Sequence, residues 1–197
     1  MGLRRGTALA GALVLGATLV TTTACGSTNI VPDSVSSAIS DQVESLTSEL
    51  IPDDAMFLAM MIPHHEQAVE MSNLAKTNGA SPEVLALATS IANSQGPEIT
   101  QMQGLLEAAG ALGEIGKHMG HMDGMLSEEQ LAALTDAQGA EIDRLYLEGM
   151  IEHHEGAVQM AQNAIDSGGN AAVITLAKQQ VAVQTAEIAQ MKQMLGR

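Results

Sequence analysis

Two stretches of this chain hold most of its reactive side chains: MIPHHEQAVEM at residues 61–71 and MIEHHEGAVQM at residues 150–160. Both follow the pattern Met-Ile-x-His-His-Glu-x-Ala-Val-x-Met, and together they use four of the six histidines: His64, His65, His153 and His154. Imidazole ligates borderline metal ions, moves protons, or sits in a buried hydrogen-bond network. Methionine brackets each pair, with Met61 and Met71 in the first copy and Met150 and Met160 in the second. Such a stripe packs as core in most helices, yet a thioether is also a soft ligand. A third cluster, HMGHMDGM at residues 118–125, sets His118, Met119, His121, Met122 and Met125 among glycine and aspartate. Methionine in so polar a segment has no packing need and oxidises when exposed. Thioether and imidazole together select soft or borderline ions: copper(I) first, copper(II) on the histidines, and silver or zinc as alternatives. The bland reading of the linker is a tract whose His and Met content is incidental.

Other chemistries lack their residues. The chain contains no Glu-x-x-His of a di-iron bundle, no His-Glu-x-x-His of a zinc protease, no Gly-rich phosphate loop and no nucleophile elbow. Cys25 is the only cysteine, which removes zinc-finger and blue-copper sites. Nothing in the chain reads as a catalytic machine.

The elements that must position these histidines follow from the repeat. The copies align without a gap at an offset of 89 residues, and the match outlasts the motif. Phe57-Leu58 answers Tyr146-Leu147; Gln95, Glu98-Ile99 and Gln101-Met102 answer Gln184, Glu187-Ile188 and Gln190-Met191. Each copy reads as a helical hairpin: Asp53 to Thr77 with Pro82 to Ala109, then Gln138 to Asp166 with Asn170 to Leu195. Asn78-Gly79 and Ser167-Gly168 are the expected stops. With almost no aromatic residues, the apolar stripes suit close helix packing, and two hairpins bury them best against each other. The fold class expected is all-α: a four-helix bundle of two duplicated hairpins with approximate two-fold symmetry. Residues 113–126 link the hairpins, and Ser127-Glu128-Glu129-Gln130 has the form of a capping box for a short helix to Leu134.

At 100° per residue the inward stripe of the first helix runs through Asp54, Phe57, Met61, Ala68, Ser72 and Ala75, with His64 and His65 about 60° and 40° to either side. Glu66 and Glu155 fall on the outer face. Glu98 lies amid Val84, Leu87, Ile91, Met102 and Leu105, and Glu187 amid Val173, Leu176, Met191 and Met194. A carboxylate on an apolar stripe needs a partner. The interior set expected is therefore His64, His65 and Glu98 with His153, His154 and Glu187, the glutamates ligating a metal or orienting its ligands. The alternative is a buried network that fixes helix register with no ligand.

The N-terminus reads as an address. Arg4 and Arg5 precede an apolar run from Thr7 to Val20, and small residues lead to Cys25, so residues 1–24 form an export signal of lipoprotein type. Leu is usual three residues before the acylated cysteine, and Thr22 stands there; an ordinary signal cleaved nearby is the alternative. Residues 25–52 read as a tether and residues 53–197 as the bundle domain. The expected location is outside the cytoplasm, lipid-anchored through Cys25 to the outer face of the cell membrane. Removing the signal leaves 6 basic against 23 acidic residues, a formal charge of −17, which disfavours nucleic acid and anionic membrane surfaces.

MIPHHEQAVEM and LEGMIEHHEGAVQMA, with Gln-x-x-Glu-Ile-x-Gln-Met in each following helix and SEEQLAAL before the third, resemble domain-of-unknown-function family 305 over about Asp53 to Leu195. The resemblance implies a ferritin-like four-helix bundle in a small exported bacterial protein. It also implies copper binding, since some members are periplasmic copper proteins linked to copper tolerance. A copper carrier would hand the ion to an efflux or metal-transfer partner. Three functions stay open: a copper-binding protein that buffers or carries the ion, a metal-dependent enzyme in the bundle, and a structural or interaction module with a His-Glu network.

Overall fold

Residues 49–117 and 122–197 are described in a computed structural model of the chain. The leader with Cys25, the tether to residue 48, and the linker residues His118, Met119 and His121 lie outside the described residues. Five α-helices follow in order: α1 (Pro52–Thr77), α2 (Pro82–Ala108), α3 (Glu128–Asp136), α4 (Ala140–Ser167) and α5 (Ala171–Met194), with a 3-10 turn at Leu112–Glu114. The described residues contain no strand. The four long helices are the expected ones, their ends displaced by at most two residues.

Local chemistry explains the boundaries. Pro52 and Pro82 each open a helix, where the missing N–H is harmless. Ser81 Oγ accepts from Val84 N at 3.4 Å, and Asn170 Oδ1 accepts from Ala172 N at 2.9 Å, each satisfying a first-turn donor. α1 ends where Gly79 takes a left-handed φ of +74°, letting Ala80 N bond back to Ala75 O at 3.2 Å. The capping box ahead of α3 is present in both directions, with Gln130 N on Ser127 Oγ at 3.2 Å and Ser127 N on Gln130 Oε1 at 2.8 Å.

α1 packs along α2 and α4 along α5; the two hairpins meet mainly through α1 and α4, and α3 lies across both. Two apolar clusters fill the interior. One takes Phe57 to Ile62 of α1, Met102 and Leu106 of α2, Ala157 to Ala164 of α4 and Val173 to Ala177 of α5. The other takes Ala68 to Ala75, Val84 to Ile91, Ile142 to Ile151 and Met191. In every long helix the change of cluster falls at the same polar level: His64 and His65, Gln95 and Glu98, His153 and His154, and Gln180, Gln184 and Glu187. A polar layer thus crosses the middle of the bundle between two apolar blocks. Each large side chain buried in those blocks contributes about 1.5–3 kcal/mol, which offsets the cost of placing imidazoles where no solvent reaches.

Candidate metal centre

All four motif histidines are fully buried, at 0 % relative exposure. Across the repeat axis the His64 and His153 rings lie 3.8 Å apart between centroids, tilted by 43°. Burial, then the neighbouring His65 and His154, pulls the His64 pKa from 6.5 to about 3, with the bond to the Asp123 carbonyl opposing only in part. Burial also holds His153 well below its ordinary value, reinforced by His64, His154 and His65. A loose contact with the His64 backbone acts the other way, but neither ring nitrogen of His153 has a hydrogen-bond partner. Both rings are therefore neutral, the form that can ligate.

The bonds these rings do make decide which nitrogen is free. His64 Nε2 is 3.3 Å from the Asp123 carbonyl oxygen. A carbonyl only accepts, so Nε2 carries the hydrogen and the lone pair of the neutral ring resides on Nδ1. His65 Nε2 is 2.8 Å from Glu98 Oε2, and Gln180 Nε2 donates to the same oxygen at 2.9 Å. Burial would raise the Glu98 pKa, but the His65 hydrogen bond and charge and the Gln180 bond outweigh it, and the net shift is downward. Glu98 is thus an ionised acceptor and His65 Nε2 the donor. Gln180 Nε2 also lies 3.3 Å from His65 Nε2, a contact between two donors converging on one oxygen. The second copy repeats the arrangement, with His154 Nε2 donating to Glu187 Oε2 at 2.8 Å. With Nε2–H committed in both His65 and His154, Nδ1 is the nitrogen through which either ring could ligate.

Those Nδ1 atoms, with both nitrogens of His153 and the Oε1 atoms of Gln95, Gln180 and Gln184, are buried without a hydrogen-bond partner. Each such atom costs about 1–3 kcal/mol, a deficit that an ion or an ordered water relieves. A carboxylate on one imidazole nitrogen with the other left bare is the pattern that orients histidine for metal. The donors are not yet gathered, however: among the described residues no three His, Cys, Asp or Glu side chains form a ready-made cage.

The remaining sequence candidates are placed as follows. The Glu98 and Glu187 side chains stand at the margin of the layer, 22 % and 13 % exposed, while Gln95 and Gln184 on the same helices are buried. Met61 is fully buried in the first apolar block, and Met71 and Met150 in the second. Met160 is partly buried against the first block. Met122 is buried and Met125 half-buried. Glu66 and Glu155 are exposed, with Glu155 paired to Lys192 at 2.7 Å.

Sequence reasoning missed the strap that covers the layer. After residue 121 the linker lays Asp123 to Leu126 along α4. Gln67 holds it by two bonds, accepting from Leu126 N at 2.8 Å and donating to Leu126 O at 3.0 Å. On the α4 side, a Cβ on Gly156 would stand 2.0 Å from Asp123 O. One on Gly149 would meet the Leu126 side chain at 3.1 Å. Gly124 takes φ +83°, and a Cβ there would lie 2.6 Å from Glu152 O. The signal was in the mismatch between the copies: one of the motif's three variable positions is Gln67 in one and Gly156 in the other. Gln180 likewise replaces the repeat equivalent Ile91.

The model of the family described as Domain of unknown function (DUF305) matches residues 54–195. A solved DUF305 fragment from Deinococcus radiodurans is 32 % identical with a TM-score of 0.69, covering 76 % of this chain and 99 % of that one. A DUF305 protein from Streptomyces coelicolor, named as secreted, is 34 % identical with a TM-score of 0.67, covering 73 % and 92 %. CopM in its Cu(I)-bound form is 32 % identical with a TM-score of 0.61, covering 72 % and 94 %. CopM is also known in Cu(II)-bound, silver-bound and apo forms. A protein of Acanthamoeba polyphaga mimivirus is 35 % identical over 65 residues, so that this chain spans 43 % of that relative's length.

Proposed function

The chain belongs to the DUF305 family, and from that premise we propose that it is a copper-binding protein of the extracytoplasmic space, buffering or carrying the ion in metal tolerance. One observation carries the reading: three imidazoles have Nε2–H committed to Glu98, Glu187 and the Asp123 carbonyl, which leaves buried Nδ1 lone pairs beside a fully unpartnered His153. His64, His65, His153 and His154 would hold the ion, and Glu98 and Glu187 would orient His65 and His154 rather than ligate. Copper supplies no bond-making here; soft ligation lowers its free concentration. His118, Met119, His121, Met122 and Met125 serve as the outer ligands that collect it, with the thioethers of Met61, Met71, Met150 and Met160, in the apolar blocks flanking the layer, as further soft ligands. Copper- and silver-bound CopM supports the metal class. Export, the Cys25 lipid anchor and an efflux or transfer partner complete the proposal.

The register-setting network is the second reading, favoured by the lack of a ready-made three-residue cage among the described residues. Titration of Cu(I) against a chromophoric competitor separates the two. The mature protein is compared with a variant carrying alanine at His64, His65, His153 and His154, and with one lacking residues 118–125. Binding that survives the deletion and disappears with the histidines establishes the centre. Binding that ignores the four alanines leaves the layer a structural network.

A further inference from the structure

The buried imidazoles cannot meet an ion unless some part of the bundle moves, and the structure assigns that part. Resting on the copper reading above, we propose that the strap Asp123–Leu126 is the gate of the histidine layer and that Gln67 is its latch. The strap is the only non-helical segment among the described residues that bonds to a motif histidine, through the Asp123 carbonyl on His64 Nε2 at 3.3 Å. It also crosses the backbone of the second motif, with Gly124 set against the carbonyls of Glu152 and His153. One segment therefore covers both members of the pair whose rings lie 3.8 Å apart.

The strap's attachments differ in kind from those of a helix. Besides the His64 bond to the Asp123 carbonyl, its backbone is held to α1 by one side chain, Gln67, which offers an acceptor to Leu126 N and a donor to Leu126 O. On the α4 side it is seated by the absence of side chains at Gly149 and Gly156. Opening it breaks the two Gln67 bonds and the His64 bond and lifts Leu126 from the core, without unwinding any helix. The two repeats supply complementary halves of the device at one motif position, a latch at Gln67 and a seat at Gly156. The duplication is symmetric in its histidines and asymmetric where the strap passes.

The test follows Ag(I), a redox-inert probe, transferring from a chromophoric chelator to the full mature protein in stopped flow, together with hydrogen exchange at the Leu126 amide. Gln67→Ala is expected to speed the histidine-dependent uptake phase and the exchange by about tenfold or more, as loss of two buried amide bonds implies. The equilibrium affinity should change far less than the rate. Gly156→Ala acts from the other wall, pushing Asp123 away while improving helix propensity, and should also speed uptake; it serves where Gln67→Ala fails to fold. Gln67→Glu keeps the acceptor and loses the donor, and should fall between. Histidine-dependent uptake at the same rate in wild type and all three variants would overturn the gate and leave the copper reading standing. No histidine-dependent uptake in the wild type would overturn both.

Discussion

His64 and His153 are equivalent residues of the two repeats, and their rings meet at a 43° tilt with centroids 3.8 Å apart and no solvent exposure. Two imidazolium rings at that distance in a buried site would repel strongly. Their closeness is tolerable because burial keeps both neutral, and neutrality leaves them able to ligate. The same geometry makes the fold sensitive to acid.

The sign is fixed by the direction of the shifts. The unfolded chain protonates both histidines near 6.5, whereas folded His64 does so only near 3 and His153 well below 6.5. The unfolded state binds more protons in this window, so stability is complete above about 6.5 and falls as pH drops, by about 1.4 kcal/mol per pH unit for each histidine. Glu98, whose carboxylate pKa is lowered, adds loss of the same sign at the acid end. Denaturant melts of the apo protein from pH 8 to 4 should show this slope, and His64→Gln with His153→Gln should flatten it. A wild-type midpoint independent of pH between 7 and 4.5 would contradict the neutral, buried pair.

Glu98 and Glu187 should act on metal through the histidines they hold. Replacing both with glutamine keeps an acceptor at 2.8 Å from each Nε2 but removes the charge that raises ligand basicity. Cu(I) affinity should weaken by about 10–100-fold, with the helical circular dichroism signal preserved. Loss beyond that range, to the level of the histidine variants, would make the glutamates direct ligands instead.

The bundle was legible because its causes are local and repeated. Pro82 behind Ser81, Ser127 three residues before Gln130, and apolar stripes duplicated at an offset of 89 residues specify helix starts and faces without tertiary knowledge. The histidines' inward direction and the Glu98 and Glu187 partners followed from the same periodicity. The strap was not legible, since its position depends on the space left at Gly149 and Gly156 and on one long-range amide, Gln67 to Leu126. Phase alone also misjudged depth. Glu98 and Gln95 share a stripe, yet only Gln95 is buried, while the Glu98 carboxylate stands at the edge of the layer and stays partly solvated.

Tyr146 and Ser72 offer a clean test of how the two repeats diverged. The Tyr146 hydroxyl is buried and 3.2 Å from Ser72 Oγ, and burial raises its pKa well above the ordinary tyrosine value. The equivalent residues in the other copies are Phe57 and Ala161, with no polar group between them. Each single change, Tyr146→Phe or Ser72→Ala, should cost about 1–2 kcal/mol by orphaning its partner. The double variant, matching the other copy's chemistry, should cost less than the two singles summed, a coupling of about 1 kcal/mol in thermal melts. Strict additivity would mean the hydroxyls do not bond.

Asp54 and Asp143 are likewise equivalent, and each ties its own repeat to the other. Asp54 is fully buried and accepts from Gly169 N at 3.1 Å and Asn170 N at 3.0 Å, as well as from Ile51 N at 3.1 Å. Asp143 accepts from Ser81 N at 2.8 Å, and Ser81 is the repeat equivalent of Asn170. Each carboxylate therefore holds the start of the other hairpin's second helix, and the pair closes the bundle at both ends. The two ends are unequal. Asp54 satisfies three backbone donors, that of Asn170 buried, and Gly168 leaves room for it, a Cβ there falling 2.8 Å from Asp54 Oδ1. Asp54→Ala strands those donors and should cost about 3–5 kcal/mol, since bonds to a charged group are worth about 1.5–3 kcal/mol each and the losses are not fully additive. Asp143→Ala strands one donor and should cost about 1–2 kcal/mol by the same reckoning. Urea titrations of the two variants, with m-values unchanged, would measure the difference directly. Equal losses would mean that the Asp54 contacts with Gly169 and Asn170 contribute nothing beyond the first hydrogen bond.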